Sequence, residues 1–543
     1  MISPLVNLEE RSWPCHEVRG AWRRMSALGV VAFAALSAGC ATLPPPEARA
    51  PDTSVATTTN EELGRIAAAS LPAGADSGFR PIPMSAFSMD ARVTLAKRAQ
   101  KTLDLQYYLL QNDVTGHTLL RAVRDAAVRG VRVRILVDDL YTASSDEMLL
   151  ELAAYPNVEI RLFNPFPAGR DSTTLRWALT LNEFSRVNHR MHNKMFIADG
   201  AFAVAGGRNI ADEYFFSSKE GNFIDFDLLL AGAAIPRMAA IFDTYWNSPR
   251  VYPLFAIQKS DVDPQVLRDR FDQLTLDGLS SYPTPPPDAP DLLGWFPLSA
   301  DLQKPPLRLL YGHVDVFADD PEKVSGRAEG GNDMTTVTYR VLDAIGAAKF
   351  EVTIGSPYFI PGKVGLERMQ SIRDRGVTIN VVTNSLASND EPFASAAYGR
   401  YRVPMLKMGA TLYELNPSEL KNDALIGSAL RSTIGRSHSK LVIIDHHITF
   451  VGSMNMDLRS SRINTEFGML VESPELANEV LGLATKVLSA GTFKLRLAEP
   501  GDRIQWVATE NGAEKVYDDE PDVPIATQMQ IFLLFPFVSE SLL

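Results

Sequence analysis

The sequence predicts a duplicated α/β protein, two tandem copies of one domain brought to a common site. Three observations carry that prediction. An amphipathic helix that stops at a glycine and feeds a β-branched strand occurs twice, at 116–139 and at 364–384. A His-x-Lys-x-x-x-x-Asp motif also occurs twice. The repeats keep one spacing, since Gly130 to Gly376 and His192 to His438 are both 246 residues apart. Unrelated helix–strand units have no reason to hold a common offset over such a distance, so the pattern reads as duplication.

Composition bounds the class. A chain of 543 residues suits two to four domains, and 45% apolar with 22% charged residues excludes a wholly disordered one. No apolar run reaches the roughly 18 residues of a membrane-spanning helix, which excludes a polytopic membrane protein. A net charge of −12 argues against a surface built for bulk nucleic acid, and no nucleic-acid partner is expected. Two cysteines, Cys15 and Cys40, provide no disulfide framework.

In chain order, residues 1–39 read as a signal peptide of the lipoprotein type. Arg19, Arg23 and Arg24 precede the apolar run SALGVVAFAALSA at 26–38, and Gly39-Cys40 follows at once. LSAGC resembles a bacterial lipobox, with Cys40 as the lipidation site. The expectation is an exported protein, lipid-anchored and facing the periplasm, and Ala41 after the cysteine suggests the outer membrane. Residues 40–80, rich in Pro, Thr and Ala, read as a linker. The first copy is placed at 81–250 and a connecting segment with a Pro-rich stretch (YPTPPPDAP, 282–290) at 251–310. The second copy is placed at 311–490, opening on the strand LRLLYGHVDVFAD, and a C-terminal extension at 491–543. Its apolar end, IFLLFPFV at 531–538, is expected to be buried, with a membrane-dipping element as the alternative.

The motifs carry the chemistry. The first copy has His192, Lys194 and Asp199, then Gly206-Gly207-Arg208-Asn209. The second has His438, Lys440 and Asp445, then Gly452-Ser453-Met454-Asn455, with 15 residues from Lys to Asn in each. MFIAD and LVIID read as strands, which would put His and Lys, two apart, on one face. A phosphodiester needs a nucleophile, a proton donor for the leaving alkoxide and positive charge on its non-bridging oxygens. Histidine can attack phosphorus and titrates near neutral pH, lysine brings charge, and asparagine a neutral donor. One copy has a nucleophile or an acid; two copies facing each other have both. Asp225 and Glu466, early in the strands that follow, are suited to accept the Nδ1 proton and orient the histidines. Asp199 and Asp445 lie five residues beyond the lysines and are assigned to support of the motif loop. Asp138-Asp139 is expected to be a helix cap or loop, and Asp445-His446-His447 a strand-end turn rather than a metal triplet.

The doubled HxKxxxxD…GxxN pattern resembles the signature of the phospholipase D superfamily. Asn455-Met-Asp457-Leu-Arg459-Ser460 with Asn464 and Glu466 is similar to the second motif of bacterial cardiolipin synthases. GGRNIADEYF at 206–215 and the C-terminal LLFPFVSESLL resemble their C-type subgroup. The resemblance implies tandem α/β/α sandwich domains packed as a pseudo-dimer with one shared active site. It implies a two-step displacement with His192 as nucleophile and His438 as acid and then base. Lys194, Lys440, Asn209 and Asn455 would bind the phosphoryl oxygens, and no metal or cofactor is required. Phospholipids and a membrane surface would be the partners. Cardiolipin synthesis from phosphatidylglycerol, with or without phosphatidylethanolamine, is the expected activity, and hydrolysis to phosphatidic acid is the alternative.

Overall fold

The computed structural model describes residues 43–45, 49–170, 172–279, 282, 284–325, 335–422, 433–510 and 513–535. The first half contributes β1 (Ser77–Ile82), β2 (Thr102–Tyr107), β3 (Arg132–Asp138), β4 (Val158–Phe163), β5 (Met195–Ala198), β6 (Phe202–Gly206), β7 (Gly221–Ile224), β8 (Asp227–Gly232) and β9 (Val251–Pro253). The second contributes β10 (Leu310–Ala318), β11 (Glu351–Gly355), β12 (Thr378–Asn384), β13 (Thr411–Leu415), β14 (Ile434–Ser437), β15 (Leu441–Ile444), β16 (Ile448–Gly452) and β17 (Phe467–Glu472). A meander of β18 (Thr492–Leu497), β19 (Ile504–Glu510) and β20 (Ala513–Tyr517) follows.

Strand pairing makes the duplication visible. The first half is ordered β4-β3-β2-β5-β6-β8-β1, and the second repeats it as β13-β12-β11-β15-β16-β17-β10. In each, the three strands joined through helices run parallel and the hairpin strands run antiparallel, as crossover and hairpin connections require. β1 and β10 pair antiparallel, so the two sheets join at the line of pseudo-symmetry. An apolar core is shared there, with Phe79, Met191 and Met195 of one half among Phe467, Met469 and Val471 of the other.

The repeated helix–strand units fold as read. Helices Val114–Val128 and Gly362–Asp374 precede β3 and β12. Gly130 and Gly376, at φ +96° and +88°, hold the left-handed position just past the helix end. Three expectations need correction. The stretch 40–80 is not wholly a linker: it carries a helix over Glu62–Ala69, with Leu63 and Ile66 buried, and the start of the buried β1. Two to three apolar residues per turn suffice to bury so short a helix, and a Pro/Thr-rich average hides them. The connecting segment folds too, its helix Pro264–Leu274 burying Leu267 and Phe271. The apolar tail is not buried within the described residues, for helix Ile525–Leu534 stands on the surface with Phe532 81% exposed. Cys40 and the signal segment lie outside the described residues.

Candidate active site

His192 and Lys194 lie in the extended run leading into β5, and His438 and Lys440 in the run leading into β15, rather than within the strands. That placement leaves their main chains available to the other half. The backbone N–H of His192 donates to Thr465 O (2.9 Å), and that of His438 donates to Ile224 O (2.8 Å). β7 and β14, which run up to Asp225 and to His438, pair in parallel. Each histidine is thus seated by main chain from the opposite copy.

The side chains cross in the same way. His192 Nδ1 lies 3.0 Å from Glu466 Oε2, and His438 Nδ1 lies 2.7 Å from Asp225 Oδ2. Both carboxylates were expected to orient a histidine; each serves the histidine of the other copy. With Nδ1–H given to a carboxylate, Nε2 of His192 is left to react, while Nε2 of His438 faces the Tyr214 hydroxyl at 3.5 Å. The lysines are buried beside the rings: Lys194 Nζ donates to His192 O (2.5 Å), and Lys440 Nζ to His438 O (2.6 Å). Asn209 and Asn455 are buried, and each keeps an amide oxygen without a hydrogen-bond partner. Their amides are available to turn toward a ligand.

The two carboxylates are held differently. Ser453 Oγ donates to Glu466 Oε2 (2.5 Å) and Ser460 Oγ to Oε1 (2.8 Å). The matching position to Ser453 is Gly207, where a Cβ would lie 2.3 Å from Asp225 Oδ1. Glycine leaves room for one carboxylate; serine binds the other. Burial pushes the Glu466 pKa up, yet His192 and its hydrogen bond, with Lys194, outweigh it and hold the carboxyl below its usual range. Burial raises Asp225, against the pull of Lys440 and Arg208.

Burial, and then Lys194, push the His192 pKa down to about 4; burial and Lys440 hold His438 well below its ordinary value. Burial also takes Lys440 down to about 8 and Lys194 well below the usual lysine range. All four shifts share a cause, cations crowded out of water. An anionic phosphodiester placed among them would oppose every one, raising the histidine that must carry a proton. The cage is therefore electrostatically matched to a phosphoryl group.

Asp199 and Asp445 are not in the cage. Asp199 accepts from Lys101 N (2.7 Å), Thr102 N (3.0 Å) and Gln100 N (2.9 Å); Asp445 accepts from Lys349 N, Phe350 N and Glu351 N at 2.8–3.1 Å. Each clamps the entry to the strand beside its motif, β2 or β11, which agrees with a supporting role. Asp199→Ala should cost about 2 kcal/mol of stability, and Asp445→Ala less because it is partly open to solvent. Denaturant unfolding would show that loss, while the folded enzyme's kcat should stay within about twofold of wild type.

Several contributors were not assigned to the site from the sequence. Asp138, at the end of β3, caps the following turn through Leu140 N and also accepts from Met191 N, next to His192 (2.8 Å). Its counterpart 246 residues on, Asn384, accepts from Ser437 N, next to His438 (2.8 Å). Both strand ends therefore brace a histidine, and the common offset was the signal that could have found them. Asp139 instead binds Arg170, in a buried ion-pair cluster. Tyr108 and Tyr214 set their rings edge-on to His192 and His438, each with centroids 4.9 Å apart. Arg208 ties Asp227 to the carbonyls of Asp225 and Tyr214.

The chain matches the family described as cardiolipin synthase, PLD-like domain, over residues 93–246 and again over 341–484. It is 34% identical to cardiolipin synthase C of Escherichia coli (strain K12) over 472 residues, 84% of this chain and 95% of that one. It is 24% identical to cardiolipin synthase 1 of Bacillus anthracis over 385 residues, 71% of this chain and 61% of that one. The fold is similar to the crystal structure of phosphatidylserine synthase from Haemophilus influenzae Rd KW20. That match has a TM-score of 0.54 at 14% identity and covers 87% of this chain and 95% of the other.

Proposed function

Because the chain belongs to the phospholipase D-like family of cardiolipin synthases, we propose that it joins two phosphatidylglycerols into cardiolipin through a phosphohistidine on His192. The class of enzyme, a phospholipid phosphatidyltransferase, follows from membership; donor, acceptor and intermediate are the reading argued here. The observation that carries it is the crossed pairing of His192 with Glu466 and His438 with Asp225. It gives one cage a nucleophile and an acid, each held in the required tautomer.

In the first step His192 Nε2 attacks phosphorus and the bond to the headgroup oxygen breaks. His438 gives its proton to the departing glycerol. In the second, His438 takes the proton of the primary hydroxyl on another phosphatidylglycerol. That oxygen attacks phosphorus, the P–N bond breaks, and His192 is restored; two phosphatidylglycerols have become cardiolipin and glycerol. Lys194, Lys440, Asn209 and Asn455 hold the non-bridging oxygens. A phosphorylated imidazolium is cationic, and the firmly ionised Glu466 suits it, which favours His192 over His438 as nucleophile. Phosphatidylethanolamine would enter by the same chemistry as donor, releasing ethanolamine.

Transfer must outcompete water at about 55 M, and an oriented hydroxyl can do so, with effective molarities of about 10⁵ M or more. Work at a membrane surface supplies the second lipid, and the exposed helix Ile525–Leu534 supports that setting. The lipobox-like LSAGC at Cys40 supports an exported, lipid-anchored enzyme facing the periplasm, on the outer membrane. With phosphatidylglycerol vesicles, cardiolipin should exceed phosphatidic acid, and excess short-chain primary alcohol should divert the product to the phosphatidyl alcohol. Addition of phosphatidylethanolamine should release ethanolamine if it is a donor. Dominant phosphatidic acid would replace the synthase reading with hydrolysis.

A further inference from the structure

The matching helix pairs of the two copies border cavities of different lining. In the first half, helices Ser85–Arg98 and Val114–Val128 pack against each other, and the connecting segment lies over them. Gly278 stands against His117, and Ser299 N donates to Asp90. A cavity of about 500 Å³ remains between them and the segment, edged by Asp90, Lys97, Arg98, Arg121 and Asp125. The equivalent helices of the second half, Val337–Gly346 and Gly362–Asp374, border an open cavity of about 620 Å³. Its wall is largely apolar, with Ile345, Phe359, Met369, Ile372 and Met454. That volume lies within the range of small-molecule sites.

The cavity adjoins the catalytic cage through one shared residue. Its wall includes Asn455 and the loop through Leu458. Asn455 N donates to Ser460 Oγ (3.0 Å), Ser460 Oγ to Glu466 Oε1 (2.8 Å), and the other Glu466 oxygen meets His192 Nδ1. Arg368, Arg375 and Arg462, all exposed, also border it, against one exposed carboxylate, Asp343. On a chain of net charge −12 that local excess of cations is complementary to an anionic amphiphile.

We propose that this cavity binds one acyl chain of the phospholipid whose phosphodiester sits in the cage, with the arginines facing its anionic headgroup region. The proposal rests on phospholipid being the substrate class. An apolar slot beside the cage would draw an acyl chain out of the bilayer as its phosphorus approaches His192, and each buried methylene would add to binding. The first-half cavity has none of the cage residues in its wall and is edged by five charged side chains, so it suits the same use less.

Two substitutions outside the cage test it. Leu342→Trp fills the cavity, and Val364→Asp puts a charge at a rim position that is 62% exposed, where folding should tolerate it. Two readouts are made on the full chain. One is transfer from dioleoyl- against dihexanoyl-phosphatidylglycerol; the other is binding of the fluorescent fatty acid cis-parinaric acid. The expected result is about a tenfold rise in KM for the long-chain lipid in each variant, unchanged kinetics with the short-chain lipid, and about tenfold weaker parinarate binding. Unchanged chain-length preference together with unchanged parinarate binding would overturn the proposal. Truncation after Phe535 should leave both readouts as they are; a gain in parinarate binding on truncation would assign the cavity to the chain's own apolar end and overturn it. Parinarate binding requires no turnover, so it separates failure of this site from failure of the synthase reading.

Discussion

His192→Ala and His438→Ala are each expected to lower transfer by at least about 10³-fold, because one removes the nucleophile and the other the histidine that serves as acid and base. Both rings are buried at the meeting of the two halves, and among the described residues neither half brings a second histidine into the cage. The check is phosphatidylglycerol turnover in each purified variant, with unfolding transitions measured alongside to show an intact fold. A model of two independent sites predicts about half of the activity from each. Substantial turnover by either variant would therefore sink the single-site reading.

Glu466→Gln and Asp225→Asn should each cost about 10² to 10⁴ in kcat, by analogy with the loss when the carboxylate behind a catalytic histidine becomes an amide. The amide can donate as well as accept, so the ring loses its fixed tautomer while its position is kept. KM should change far less than kcat, since the lysines and asparagines that bind the phosphoryl oxygens are untouched. The pairing also dictates which step suffers. Glu466→Gln should slow attack by His192, although it lies 274 residues away in sequence, and Asp225→Asn should slow the proton transfers of His438. Wild-type kcat in Glu466→Gln would show that the crossed pairing has no catalytic meaning.

Much of this was legible in the sequence because duplication repeats its own evidence. The offset that links His192 to His438 also links Gly130 to Gly376 and Asn209 to Asn455, so the helix–strand units and the cage could be read together. The two orienting carboxylates were visible as early acidic residues in the following strands. What the sequence could not supply was the crossing, for Asp225 reads most simply as the partner of His192. Only the parallel pairing of β7 with β14 places it against His438. Tyr108 and Tyr214 were hidden for another reason: Tyr108 lies in an apolar run that looks like core, Tyr214 follows two acidic residues, and nothing in their spacing points at a histidine ring. The folding of the stretch 62–82 and of helix Pro264–Leu274 was masked by composition, since a few buried positions such as Leu63 and Phe271 settle burial while prolines and polar residues dominate the count. The tail erred the other way. Its run of apolar residues reads as core, yet the helix meets the body near Phe535, against Ile360 and under Arg400, and leaves Ile525, Met529, Phe532, Leu533 and Leu534 exposed.

The most direct test of a single shared site is the position and stoichiometry of the covalent phosphatidyl group during turnover. Enzyme cycling on phosphatidylglycerol is denatured at neutral pH and its peptides are weighed by mass spectrometry. One adduct per chain at most, carried on the peptide containing His192, is the predicted result. Adducts on both His192 and His438, approaching two per chain, would show two separate sites and contradict it.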